Sequence, residues 1–183
     1  MRVQPSEEAS SVLEFWKAAG HEAWFEKNPE FDARFRERFA EAHARAAAGA
    51  LSSWLEAPLS ALALVLLLDQ YPRNAFRGTP RMYETDELAR EAAKSAIARG
   101  HDRAVEPELQ VFFYLPLSHS EDLGDQQRSV ALHERLSPEL QKHAVDHADI
   151  VQRFGRFPHR NALLGRVSTP EEREFLAEGG FAG

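Results

Sequence analysis

The sequence contains no cysteine among its 183 residues. This absence excludes disulfide bonds, thiolate metal sites and thiol nucleophiles. Long apolar runs are also absent, because the longest, 59–68, is interrupted by Ser60. That run is far shorter than the roughly 20 residues that span a bilayer. It predicts a buried helix and no membrane segment.

Excess positive charge is also absent, because the formal net charge is -7 and the pI is near 5.6. Non-specific binding to nucleic acids or anionic membranes needs a broad basic surface. We therefore expect neither a nucleic-acid partner nor a membrane partner. The first residues, Met-Arg-Val-Gln-Pro-Ser-Glu-Glu, show no apolar stretch of the signal-peptide kind, so we expect a cytoplasmic protein.

Helix signals recur along the whole chain, and no stretch alternates with the period of two that is typical of a strand. Phe31, Phe35 and Phe39 repeat every four residues, which predicts the buried face of an amphipathic helix. We expect an all-α protein with eight or nine helices in a single domain over 1–183. We also expect six apolar side chains in the core: Leu62, Leu66, Phe112, Phe113, Ile150 and Phe154.

Capping residues predict where the helices begin and end. Ser11 and Glu14 have the capping-box spacing, which predicts a first helix over 12–19 and a separate short turn over 21–27. Asp86 is expected to cap a helix, and Ser118 or Ser120 another. Further helices are predicted to start after Asn28-Pro29, at Pro58 and after Ser137-Pro138. Another is predicted from Pro107 to Pro116. The last is predicted to start after Thr169-Pro170 and to end at Ala177.

Arginine is concentrated in two loops that contain no acidic residue. One loop, 154–166, lies in an acid-free stretch between Asp149 and Glu171, and the other, 70–81, lies between Asp69 and Glu84. A guanidinium group has the donor geometry for carboxylate or phosphate. We expect the two loops to meet in one anion-binding cleft with His119 at its edge.

Four segments resemble the bacterial family DUF924. They are Leu-Leu-Leu-Asp-Gln-Tyr-Pro-Arg-Asn-Ala-Phe-Arg-Gly-Thr (66–79), Tyr-Leu-Pro-Leu-Ser-His-Ser-Glu-Asp-Leu (114–123), Asp-Gln-Gln-Arg-Ser-Val (125–130) and Arg-Phe-Gly-Arg-Phe-Pro-His-Arg-Asn-Ala-Leu-Leu-Gly-Arg (153–166). The resemblance covers about 11–178. It implies a fold similar to the tetratricopeptide-like all-helical superfamily, with antiparallel helix pairs stacked side by side.

These segments also contain the candidate site residues. For acid–base chemistry they are His119, His159 and Glu121; for ligand binding they are Asp69, Gln70, Arg73, Asn74, Arg77, Arg153, Arg156, Arg160 and Asn161. Each histidine has an alternative structural role, His159 in holding its turn and His119 in an ion pair beside a helix start. We expect no cofactor and no metal, since His143 and His147 lack the intervening glutamate of the zincin pattern.

Two functions from different classes follow. The first is a site for a small anionic molecule, a phosphate or a carboxylate, with proton transfer by His119 or His159. The second is a tetratricopeptide-like module that binds a protein segment and catalyses nothing. A third account of the arginines is purely structural, in which Asp69, Glu121 and other carboxylates neutralise them and hold the loops together. The sequence indicates no oligomeric state.

Overall fold

The computed structural model describes residues 5–181, and every regular element in that range is helical, which confirms the all-α class. A π-helical turn, Leu66–Gln70, joins two of the nine α-helical segments, so the described chain has eight continuous helices. The segments are α1 (Glu7–Phe25), α2 (Pro29–Ala47), α3 (Pro58–Val65), α4 (Tyr71–Ala75), α5 (Asp86–Ala98), α6 (Val111–Ser118), α7 (Leu123–His133), α8 (Pro138–Phe154) and α9 (Pro170–Ala177).

The chain divides into two compact units. The first contains the residues up to 77 together with 81–116, and the second contains 78–80 and the residues from 117 onward. The single domain over 1–183 and the tetratricopeptide-like arrangement stay predictions. No helix of the described residues is both long enough and apolar enough to cross a membrane.

Three predicted helix starts are confirmed by their caps. The side chain of Asn28 accepts the N–H of Phe31 at 3.0 Å, and that of Ser137 accepts the N–H of Leu140 at 3.3 Å. At α9 the side chains of Thr169 and Glu172 accept each other's backbone N–H groups, which is a full capping box. These caps involve residues only three apart, which is why the local sequence was sufficient to find them.

The predicted start of α1 is wrong. The helix begins at Glu7, where the hydroxyl of Ser6 accepts the N–H of Ala9 at 3.2 Å. Ser11 lies inside the helix, and its hydroxyl accepts a hydrogen bond from Arg38 at 2.9 Å. The break predicted near residue 19 does exist, because Gly20 interrupts the helix with φ 77° and ψ 171°.

Three further boundaries differ from the prediction. Pro116 does not end α6, which continues to Ser118. The N-cap of α7 is Asp122, whose carboxylate accepts the N–H of Asp125 at 2.9 Å. Asp86, the predicted cap of α5, is the first residue of that helix. The residue before it, Thr85, donates its hydroxyl to the carbonyl of Leu68 at 2.6 Å and makes no capping hydrogen bond. Ser120, one of the two predicted caps of α7, instead donates its hydroxyl to the carboxylate of Asp125 at 2.9 Å.

The core of the first unit is aromatic. Phe31, Phe35 and Phe39 of α2 are buried, and the ring of Phe15 lies 5.3 Å from each of them. The burial of the aliphatic helix α3 and of α6 is also confirmed, since Leu62, Leu66, Phe112 and Phe113 are all buried. Ring contacts of this kind add about 0.5–1.5 kcal/mol per pair to the free energy of burial.

The second unit has a smaller core of Ile150, Val151 and Phe157. Ile150 is buried as predicted. The prediction for Phe154 is wrong, because its ring is only partly buried and packs between the core and the guanidinium group of Arg153, 4.6 Å away. Helical spacing placed it on the buried face, but it lies in the last turn of α8, where solvent reaches it.

We expect Phe112→Ala to lower the free energy of unfolding by about 3 to 5 kcal/mol, because the ring leaves a cavity. The Phe112 ring is 1% exposed and lies 5.2 Å from both Trp16 and Trp24. Urea unfolding followed by circular dichroism measures the change. Leu88→Ala, at an exposed position of α5, is the control and should cost less than about 0.5 kcal/mol. Equal losses in the two variants would contradict this account of the core.

Candidate functional site

The π-helical turn Leu66–Gln70 places a buried carboxylate at the start of the first arginine-rich loop. Asp69 accepts hydrogen bonds from Gln70 at 2.7 Å and from Arg73 at 3.3 Å. Arg73 also makes a two-pronged ion pair with Asp86, at 2.7 and 3.1 Å. Burial lowers the pKa of Arg73, but the carboxylates of Asp69 and Asp86 outweigh it and raise the pKa. Arg73 is therefore a fixed cation between two anions.

A second network holds the end of the same loop. Asp32 of α2 accepts a hydrogen bond from Asn74 at 2.7 Å and two from Arg77, at 2.9 and 3.2 Å. The sequence reasoning missed Asp32 and gave Asp86 only a capping role. The signal for Asp32 was present in its position beside Phe31 in the first turn of a helix, on the side that becomes buried.

In the second unit the central anion of the arginine-rich loop is Glu172, which is 2% exposed. It accepts two hydrogen bonds from Arg156, at 2.6 and 2.8 Å, and one from Asn161 at 3.1 Å. Its hydrogen bonds with Arg156 outweigh its burial and, with the N–H of Thr169, hold its pKa at about 2. The capping box identified Glu172 in the sequence, but nothing local showed that it also neutralises Arg156.

Glu121 holds the other side of the same loop. Its carboxylate accepts two hydrogen bonds from Arg166, at 2.7 and 2.9 Å, and one from the N–H of Phe157 at 2.8 Å. Burial raises the pKa of Glu121, but these donors outweigh it and lower the pKa. An ionised carboxylate with three donors positions a loop; the acid–base role predicted for Glu121 stays a prediction.

The ring of Phe157 brings three basic side chains together. The guanidinium of Arg160 lies 4.6 Å from the ring centre, and the imidazole rings of His147 and His159 lie at 5.5 and 5.7 Å. Arg160 also donates to the backbone carbonyl of His119 at 2.8 Å. Phe157 and Arg160 are buried and the three histidines are partly buried. We call Phe157, His119, His147, His159 and Arg160 the Phe157 cluster.

His147 is the member of this cluster that the sequence reasoning left out of the site. Burial is the largest cause of its low pKa, about 4, and the positive charges of His119, His143 and Arg160 lower it further. A hydrogen bond of Nδ1 with the backbone carbonyl of His143, at 2.7 Å, opposes the shift. With a pKa of about 4, His147 is neutral at pH 7 in a basic environment, and an anion nearby would stabilise its protonated form.

The predicted ligand-binding residues fall into separate groups. Asp69, Gln70, Arg73, Asn74 and Arg77 lie in the first unit, and Arg153, Arg156, Arg160 and Asn161 lie in the second. Arg153 is exposed and packs over Phe154 and Phe175, outside the Phe157 cluster. A shared cleft of the two loops stays a prediction. Over residues 5–181 no group of three or more His, Asp or Glu side chains is placed to hold a metal ion.

The fold and the two loops define a class of all-helical proteins in which arginine-rich segments are held by carboxylates from other parts of the chain. The chain belongs to the family of bacterial proteins of unknown function called DUF924, whose model matches residues 12–180. A solved structure of a protein of unknown function from Agrobacterium tumefaciens is 55% identical, with a TM-score of 0.92 over 94% of this chain and 98% of that one. Among the curated proteins none matches this sequence.

We expect Glu172→Gln to lower the free energy of unfolding at pH 7 by roughly 2 to 3 kcal/mol, because Arg156 loses its charged acceptor. The folded pKa of about 2 lies below the ordinary value of 4.5. The contribution of Glu172 is therefore present above pH 4.5 and is lost as the pH falls towards 2. Urea unfolding across this range should show the variant and the wild type converging. Glu171→Gln, exposed in the same helical turn, is the control; a difference that persists at pH 2 would contradict the ion-pair account.

Proposed function

We propose that the protein binds a small anionic compound, a phosphate or a carboxylate, at the Phe157 cluster. The observation that carries the proposal is the placement of basic side chains around Phe157. The guanidinium of Arg160 lies 4.6 Å from the ring centre, and the imidazoles of His147 and His159 lie at 5.5 and 5.7 Å. An anion beside these groups gains charge–charge attraction in a partly buried place, where the screening by water is weak.

The neighbouring carboxylates support this location. Two acidic side chains that reach the loop, Glu121 and Glu172, each make a two-pronged pair with another arginine, Arg166 or Arg156. Their charge is thus largely compensated before a ligand arrives. The same pairs fix the backbone on both sides of Phe157, which keeps Arg160 and His159 in place without a ligand.

The proposal includes proton transfer as its finer part. A neutral imidazole accepts a proton. Arg160, whose buried guanidinium would hold the anionic group, donates to the backbone carbonyl of His119 and contacts the same Phe157 ring as His159. An enzyme of this design would act on a group next to the phosphate or carboxylate that Arg160 binds. We also propose that the protein is cytoplasmic.

A protein-interaction module is the second candidate, and one feature of the first unit favours it. An open groove of about 670 Å³ lies between α1 and α2, lined by Glu14, Phe15, Ala18, Arg34, Glu37 and Arg38. The groove combines one aromatic side chain, Phe15, with acidic and basic side chains, so it suits a peptide segment of mixed charge. Binding there would leave the histidines of the Phe157 cluster unchanged, which separates the two candidates by experiment.

We expect phosphate to raise the pKa of His147 by about 1 or more, because a nearby anion stabilises imidazolium. NMR titration of the histidine rings measures this, with chloride replacing phosphate at constant ionic strength as the reference. His43 of the first unit is the internal control, since burial also lowers its pKa, its ring bonds the backbone carbonyl of Leu67 at 2.9 Å, and its charged neighbours Arg81 and Glu84 are of opposite sign. Its pKa should stay unchanged.

Arg160→Met should abolish the phosphate effect on His147, and Arg135→Ala, an exposed position, should keep it. Circular dichroism establishes that each variant is folded. If phosphate moves the pKa of neither His147 nor His159 in the wild type, the Phe157 cluster is not an anion site.

A further inference from the structure

The ring of Phe181 occupies a slot between two histidines of the Phe157 cluster. Its centre lies 4.7 Å from the ring of His147 and 5.0 Å from that of His159, with interplanar angles of 56° and 85°. Both imidazoles also contact Phe157, which is fully buried. We call the space between the rings of His147 and His159, closed on one side by Phe157, the imidazole slot. Its walls are flat and aromatic, which suits a flat ring.

Phe181 is held in the slot by a short glycine tail. Gly179 has φ 85°, a conformation that favours glycine, and the N–H of Gly180 donates to the carbonyl of Phe175 at 2.9 Å. A Cβ atom on residue 180 would lie 2.5 Å from that carbonyl oxygen. The tail therefore sits against α9 only because residue 180 is glycine, and any side chain there would push it away.

The ring is partly open to solvent. Phe181 is 40% exposed, so a free ligand can approach the slot beside it. A ring on the same chain as its slot behaves as a tethered ligand, and a free ligand replaces it when it makes a further contact that the tethered ring lacks. An anionic group at the guanidinium of Arg160 is such a contact.

We propose that Phe181 stands in for the ring of the natural ligand, so that the Phe157 cluster binds planar-ring anions such as aryl carboxylates or aryl phosphates. This inference rests on the proposed function and names its ligand class. The ligand ring enters the imidazole slot in place of Phe181, and its anionic group lies at the guanidinium of Arg160 beside His119. The ionisable groups that face His147 are His143 on its own helix, His119 before α7, and His159 and Arg160 in the turn after α8.

The probes are matched pairs that differ only in the ring: benzoate with acetate, and phenyl phosphate with inorganic phosphate. Binding is measured by NMR from the shifts of the His147 and His159 rings at constant ionic strength. For the wild type we expect the ring-bearing member of each pair to bind more tightly. Nuclear Overhauser contacts from its ring protons to His147 and His159 should place it in the slot.

Two variants test the displacement of Phe181 by different means. Phe181→Ala removes the ring, and Gly180→Ala keeps the ring but prevents the tail from seating on Phe175. Both should bind benzoate roughly two- to tenfold more tightly than the wild type, the range that the loss of one competing aromatic contact gives. Acetate affinity should stay the same. Val167→Ala removes an exposed apolar side chain of the same unit and is the matched control, with no change for either probe.

The outcomes separate this inference from the proposed function. If phosphate and acetate bind but benzoate and phenyl phosphate have no advantage, the cluster is an anion site without ring selectivity, and the inference is wrong. Weaker benzoate binding in Phe181→Ala would show that Phe181 is a wall of the site that stacks on the ligand, and would also overturn it. If none of the four probes moves the histidine signals, the proposed function itself fails.

Discussion

Paired hydrogen bonds between a guanidinium group and a carboxylate hold both arginine-rich loops in place. Asp86 engages Arg73, Asp32 engages Arg77, Glu172 engages Arg156 and Glu121 engages Arg166. In each pair the carboxylate belongs to a different segment of the chain from the arginine. Taking such charges out of water is costly, and only good geometry with further donors compensates for it. Asn74 and Asn161 supply some of those further donors, to Asp32 and to Glu172.

These pairs also decide which groups remain available for chemistry. The ion pairs favour the charged forms of Glu121 and Glu172, whose pKa values they lower. The histidines of the Phe157 cluster are different, because burial and basic neighbours keep His147 uncharged. The second unit therefore places charged ion pairs beside the imidazole of His147, whose protonation depends on what lies next to it.

The features that the sequence predicted correctly have local causes. The caps at Asn28, Ser137 and Thr169 lie within three residues of the groups they bind, and the phenylalanine spacing of α2 shows its buried face directly. The counter-ions are distant in sequence, since Asp32 and Arg77 are 45 residues apart, as are Glu121 and Arg166. The sequence named Asp69 and Glu121 as counter-ions, and they pair with Arg73 and Arg166. It did not show that Asp32, Asp86 and Glu172 approach the other arginines. The contact of Phe181 with His147 and His159 depends on a turn after α9, so it could not be predicted from the sequence either.

The π-helical turn at Leu66–Gln70 shows how an irregular helix can be as informative as a loop. Such a turn holds one residue more than an α-helical turn of the same span. Each residue of an α-helix advances the chain by about 100° around its axis. Deleting a single residue here would thus leave a continuous, well-bonded helix, but it would rotate Asp69 relative to the apolar face of α3. We therefore expect a homologue that is one residue shorter here to lack the contact of Asp69 with Arg73, which leaves Asp86 as the carboxylate paired with Arg73.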